Sequence, residues 1–266
     1  MVKLGVSIWC LPKPLRNPYE LIVKAKEIGY EGVELAITEE DMEIKGSDLS
    51  RKWKSILEEA EAQAVEIPSI VTSLYWRYNM VTDEEAALKV LRVQCEVANL
   101  VNAHVILVIP GVAVPDLDYL EHFNRVIKTL KKASKIAKDH NVIVGLEPVW
   151  NRLFPSPLDF KKIIEEVGED NVKVYFDVGN TLPHSLPEHW IRMLNKNIVQ
   201  VHIKDFSIDE LKFGIPQTGS VNWEAVKRAL WDIGFGGYLV AEVPWDMTDP
   251  YKPIVETFLK MRDLFW

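Results

Sequence analysis

Three carboxylates and an imidazole stand at the ends of four separate apolar, β-like runs. Glu147 follows Val142–Leu146, Asp177 follows Val172–Phe176, His202 follows Ile198–Val201 and Glu242 follows Tyr238–Ala241. If these runs are successive parallel strands of one barrel, their carboxyl ends share a mouth and the four side chains converge there. Such a set is a metal site. Carboxylate oxygens with a single imidazole suit a divalent ion such as Mn²⁺, Mg²⁺ or Co²⁺, and no cysteine lies close enough in sequence to suggest structural zinc. A Glu bound through one oxygen keeps the other as a base, so Glu147 and Glu242 can hold a metal and also move protons.

Taken singly, each residue has a plainer role. Glu147 before Pro148 could sit at a helix N-terminus, and Asp177 before Val178-Gly179-Asn180 could belong to a turn. His202 could be a hydrogen-bonded core histidine, and Glu242 could pair with Lys204. Only their order on four consecutive strands favours the metal.

The elements that must position them recur along the chain. Eight β-like runs, Leu4–Ile8, Gly32–Leu35, Glu66–Ile70, Val105–Val108, Val142–Leu146, Val172–Phe176, Ile198–Val201 and Tyr238–Ala241, are separated by segments of helical periodicity. These segments are Tyr19–Ile28, Leu49–Ala64, Asp83–Leu100, Leu117–His140, Pro157–Val167, Leu186–Leu194, Trp223–Ile233 and Tyr251–Phe265. Strands too apolar to have a wet face, each followed by a helix, predict an α/β fold with a parallel sheet closed as a single (β/α)₈ TIM barrel over residues 1–266. Ile28-Gly29-Tyr30-Glu31-Gly32 and Ile233-Gly234-Phe235-Gly236-Gly237 repeat one helix-to-strand turn, the first Gly of each ending its helix in the left-handed conformation. The long connections, Val71–Thr82, Pro110–Asp116, Val149–Ser156, Gly179–Ser185 and Ile203–Val221, all follow strands and mark one functional face. That face is rich in aromatics, Tyr75, Trp76, Trp150, Phe154 and Trp245, which suit the C–H faces of a sugar.

Composition narrows the partners. The 266 residues carry 31 Lys and Arg against 39 Asp and Glu, a formal net charge of −8, which disfavours nucleic acid or an anionic membrane. The start, Met1 to Trp9, has no basic region and no apolar stretch of signal-peptide length, and only Cys10 and Cys95 occur. A cytoplasmic protein without disulfides is expected, acting on a small molecule, as a monomer or a homo-oligomer.

Five stretches, Glu147-Pro148, Phe176–Asn180, Val201–Asp205, Gly219–Trp223 and Tyr238–Glu242, resemble the xylose-isomerase-like sugar isomerase and epimerase superfamily, in its ketose 3-epimerase, or tagatose 3-epimerase-like, branch. The resemblance covers the whole chain. It implies a divalent ion, often manganese, on Glu147, Asp177, His202 and Glu242, with Glu147 and Glu242 exchanging a proton at the carbon beside a carbonyl. Trp9, Tyr75, Asn180 and Trp245 are expected to face the substrate. Two departures stand out: Asn180 occupies the place of a common His, and Trp150–Phe154 that of a Glu that contacts the substrate. Arg152 and Lys204 add positive charge near the mouth, which favours a substrate carrying a carboxylate; the chain also resembles the 5-keto-L-gluconate epimerases of inositol catabolism, which implies a keto-sugar acid as substrate, 5-keto-L-gluconate going to D-tagaturonate. Aldose–ketose or hydroxypyruvate-type isomerisation and inosose-type dehydration are alternatives on the same barrel. An endonuclease IV-like activity is disfavoured, because its extra histidines and basic face are missing.

Overall fold

In the computed structural model, which describes residues 2–44 and 46–266, eight parallel strands close on themselves. They are β1 (Lys3–Ser7), β2 (Gly32–Ala36), β3 (Ser69–Val71), β4 (Val105–Val108), β5 (Ile143–Leu146), β6 (Val172–Asp177), β7 (Ile198–Ile203) and, after a short hairpin, β10 (Tyr238–Ala241), which pairs with β1 to complete the ring. The hairpin strands are β8 (Asp205–Ser207) and β9 (Lys212–Gly214), which pair antiparallel outside the barrel.

The strands form where the sequence is apolar because both of their faces are covered. In β4 all four residues are buried, and in β1 all but Lys3 are. Around the ring lie the helices α1 (Pro18–Ile28), α3 (Ser47–Ala62), α4 (Glu84–Leu100), α5 (Tyr119–Asp139), α6 (Pro157–Val167), α8 (Pro187–Leu194), α9 (Trp223–Asp232) and α10 (Lys252–Phe265). Their starts are chemically marked. Asn17 accepts from the Tyr19 amide ahead of Pro18, and Ser156 and Asp159 form a reciprocal capping box ahead of Pro157. At the ends of α1 and α9 the repeated turn behaves as its sequence requires: Gly29 and Gly234 have φ of +114° and +67°.

Boundaries shift slightly from the sequence reading. The Glu66–Ile70 run becomes a strand only at Ser69, because Glu66 makes an isolated bridge to Gly32 and Pro68 cannot donate to a ladder. Three short pieces lie in stretches read as connections: α2 (Glu39–Glu43), α7 (Val178–Thr181) and the β8–β9 hairpin. None is long enough to leave a period in the sequence.

The barrel interior is not wholly apolar. On β6, Tyr175 and Asp177 share a face, as do Gln200 and His202 on β7, and these strands pair Tyr175 with Gln200 and Asp177 with His202 in register. Glu34 of β2 and Ser69 of β3 meet them across the interior, so a column of buried polar groups leads up to the mouth.

Candidate metal centre and substrate cleft

Ligand atoms of Glu147, Asp177, His202 and Glu242 lie within 4.8 Å of one another. His202 Nδ1 stands at the middle of the set, 3.0 Å from Glu147 Oε1, 3.5 Å from Glu242 Oε2 and 3.7 Å from Asp177 Oδ2. Donors spaced in this way can share one small cation at bond lengths of about 2.0–2.6 Å. Asp177 Oδ2 supplies a further sign. It is fully buried, and among the described residues its close partner is the Lys204 ammonium, 2.7 Å away as an ion pair, which leaves a lone pair on the oxygen unused. A buried carboxylate oxygen with a free lone pair suits a metal ligand. The residues present therefore fit a divalent ion, although a bound ion would have to share Asp177 and Glu242 with Lys204, whose ammonium pairs with both.

The other imidazole nitrogen decides how His202 is held. Nε2 is 2.9 Å from Glu34 Oε1, and both side chains are fully buried. Glu34 also accepts from Ser69 Oγ (2.9 Å) and from the Tyr175 hydroxyl, while Gln200 Nε2 donates to Ser69 Oγ (3.1 Å). With Nε2 fixed on Glu34, the ring can turn only Nδ1 towards the other three ligands. The sequence reading missed Glu34. Its signal was a carboxylate in the middle of Gly32-Val33-Glu34-Leu35, a run too apolar to have a wet face.

Burial and charge compete throughout the cluster. Burial pushes the Glu147 carboxyl up to about 7, with His202 pulling it down and Glu242 and Asp177 adding to the rise. For Glu34, burial raises the pKa, but the charge and hydrogen bond of His202 outweigh it and leave the group below its usual range. Burial opposes charge on His202, yet Glu34 and its neighbours hold the imidazole well above its ordinary value. Lys204 is likewise penalised by burial and raised on balance by Asp177 and Glu242.

Above the quartet opens a cleft of about 390 Å³, within the range of small-molecule sites. Trp9 and Arg16 line it from the loop after β1, Ser73 and Trp76 from that after β3, and Trp150, Asn180, Lys204 and Glu242 from the strand ends beyond. Phe213 of the hairpin packs on Trp150, with ring centroids 5.0 Å apart, and Lys204 Nζ stands 5.1 Å from the Phe213 ring. Gly179 makes this side compact: a Cβ there would come within 2.7 Å of Lys204 Cγ, so only glycine lets α7 press against the end of β7.

The structure brings Glu147, Asp177, His202 and Glu242 together and sets Trp9, Asn180 and Lys204 in the cleft wall. Asn180 is braced there, its amide nitrogen donating to the Pro148 carbonyl (3.1 Å) and its own carbonyl accepting from Trp150 Nε1 (2.9 Å). Three expected contacts are not brought to the cleft. Tyr75 is fully buried behind it, donating to Gln94 Oε1 (2.9 Å), because the turn Leu74–Trp76 sends Tyr75 inward and presents Trp76 instead. Arg152 is exposed. Asn151 anchors its loop to the Gly111 carbonyl (2.8 Å), Leu153 and Phe154 turn into the core, and the turn between them carries Arg152 to solvent at φ +63°. Trp245 lies half exposed in a neighbouring hollow with Pro244 and Asp246.

A (β/α)₈ barrel with a carboxylate and imidazole quartet at the carboxyl ends of its strands defines a class of metal-site barrels. The chain belongs to the xylose isomerase-like TIM barrel family, which it matches over residues 22–264. A probable L-ribulose-5-phosphate 3-epimerase of Mycoplasma pneumoniae is 22% identical, with 94% of this chain and 85% of that one covered. Among solved structures, an L-ribulose 3-epimerase superposes with a TM-score of 0.81 at 16% identity, over 99% of this chain and 94% of that one. The 3-keto-D-glucoside 4-epimerase of E. coli superposes with a TM-score of 0.76 at 16% identity, over 99% and 100%. Among the described residues no helix is long and apolar enough to cross a membrane.

Proposed function

We propose that the protein is a carbohydrate epimerase that inverts a carbon beside a ketose carbonyl, using a divalent ion held by Glu147, Asp177, His202 and Glu242. The observation that carries this reading is a division within the quartet. Asp177 and His202 are wholly buried, whereas Glu147 and Glu242 also line the cleft. Two ligands thus hold from below, and two carboxylates reach a substrate lying above. A divalent ion bound there would polarise the carbonyl and favour the enediolate that follows loss of the adjacent proton. Glu147 lines the cleft, and the carboxylate oxygen it does not lend to the ion is free to take and return a proton. Glu242, brought to the cleft from β10 with β6 and β7 between it and β5, would serve the other face of the same carbon. Loss of the proton to one Glu and return from the other inverts the configuration.

The 3-epimerase and 4-epimerase named above both act, by their names, on carbons of carbonyl sugars, which supports the same reading here. Mn²⁺ is our choice of ion and a keto sugar or keto-sugar acid our substrate class, with 5-keto-L-gluconate as the specific candidate. The buried free thiols Cys10 and Cys95 are in keeping with the cytoplasm.

Turnover of L-ribulose and D-tagatose in D₂O with Mn²⁺ tests the mechanism. Wild-type protein should place one deuterium on the epimerised carbon, and Glu147→Gln and Glu242→Gln should each slow net epimerisation by about 10²–10⁴-fold. Normal epimerisation by both variants would overturn the assignment of the two bases. Deuterium in an aldose product would make the enzyme an isomerase.

A further inference from the structure

Two cations line the cleft, and they are differently employed. Lys204 is committed to Asp177 and Glu242. Arg16 is not: no carboxylate among the described residues lies within ion-pair distance, and its one hydrogen bond runs from Nε to the Leu11 carbonyl (2.9 Å). That bond holds the guanidinium while leaving its two terminal nitrogens without an acceptor among the described residues. The segment carrying it is stiff. Pro14 fixes φ within the turn Lys13–Leu15 and Pro12 and Pro18 on either side of it, and the Leu15 and Asn17 amides donate to Pro12 and Leu15 carbonyls (both 2.8 Å). Trp9, Trp76, Trp150 and Phe213 supply apolar walls that lower the local dielectric around any charge pair formed in the cleft.

We propose that Arg16 anchors an anionic group of the substrate, a phosphate ester or a carboxylate on the sugar, and so sets the enzyme's preference for charged over neutral ketoses. The inference rests on the epimerase reading of the cleft. Chemically, the two free nitrogens of a guanidinium match the paired oxygens of either anion, and a partner already held in place loses little entropy on binding. The Arg152 side chain, pointing to solvent, leaves this role open.

The deciding measurement is the ratio of kcat/KM for a charged substrate to that for its neutral counterpart. Suitable pairs are L-ribulose 5-phosphate with L-ribulose, and a 5-keto-hexonate with the neutral ketohexose of the same configuration. Arg16→Gln should lower the ratio for one pair by about 10–100-fold, and Arg16→Lys by less, because an ammonium cannot bind bidentately. The pair that responds names the anion as phosphate or carboxylate. An unchanged ratio in both pairs would overturn the proposal. Calorimetric titration of the Mn²⁺-loaded protein with sorbitol 6-phosphate, gluconate and sorbitol separates this from failure of the epimerase reading. If no ketose turns over but an anionic polyol binds more tightly than sorbitol and loses that margin in Arg16→Gln, Arg16 stands and epimerisation falls. Equal binding of all three by wild type and variant would remove the anchor itself.

Discussion

Removing the charge of Glu34 should loosen the proposed metal centre without touching any of its four candidate ligands. Glu34 holds His202 Nε2 at 2.9 Å inside the barrel, where no water can replace it. Glu34→Gln keeps the shape and a carbonyl acceptor but not the charge that favours Nε2–H over Nδ1–H. We expect Mn²⁺ affinity to fall about 10–100-fold by equilibrium dialysis, with the ¹⁵N shifts of His202 reporting a changed tautomer balance. Unaltered affinity would make Glu34 a passive core group. At this scale much of the centre was readable. Glu147, Asp177, His202 and Glu242 each close an apolar run, and parallel strands bring such ends together. Glu34 was passed over because it lies inside a strand. Contacts made from loops were the least legible: Tyr75 and Trp76 are adjacent in a tight turn, and sequence offers no rule for which one turns inward. Arg152 failed for a similar reason, since only its buried neighbours Leu153 and Phe154 determine that it faces solvent.

Among elements, the contact between α7 and the end of β7 is the most exacting. A methyl at residue 179 would meet Lys204 Cγ at 2.7 Å and the Lys204 carbonyl at 3.1 Å, and that backbone, tied between β7 and β8, cannot retreat easily. Gly179→Ala should therefore cost about 1–3 kcal/mol in denaturant unfolding, the usual range for overpacking, and should displace Lys204 from Asp177 and Glu242. Full stability, together with unchanged metal affinity, would show that the contact relaxes freely. Strands and long helices were legible from periodicity and caps, because each buries a continuous face. The β8–β9 hairpin was not. Its strands have three residues each and are held by Asp205, which accepts from the Phe206 amide (2.8 Å), the Val221 amide (3.1 Å) and Trp223 Nε1 (2.8 Å). Such an anchor reaches across 18 residues and leaves no local pattern, yet it sets Phe213 over the cleft.

For the whole molecule, closure of the ring was implied by eight strand-helix repeats, but the balance of charge inside it was not, and that balance governs stability against pH. Glu147 is raised from 4.5 to about 7 in the folded state. Folded protein therefore binds more protons than unfolded, and the stability this confers is present below about pH 4.5 and lost as pH rises through about 7. His202, also raised, acts in the same direction from about 6.5 upward. Glu34 and Asp177, both lowered, act oppositely: their contribution is present above the ordinary carboxylate range and disappears in acid. The metal-free protein should thus lose stability on going from pH 5.5 to pH 8, while a divalent ion, which binds deprotonated Glu147 and His202 Nδ1, gains affinity over the same interval. In thermal unfolding, 1 mM Mn²⁺ should raise Tm by several degrees more at pH 8 than at pH 5.5, at roughly 2–4 °C per kcal/mol for a chain of this size. A Tm increment independent of pH, or an increment that persists in Asp177→Asn with Glu242→Gln, would mean that the ion binds somewhere other than the mouth of the barrel.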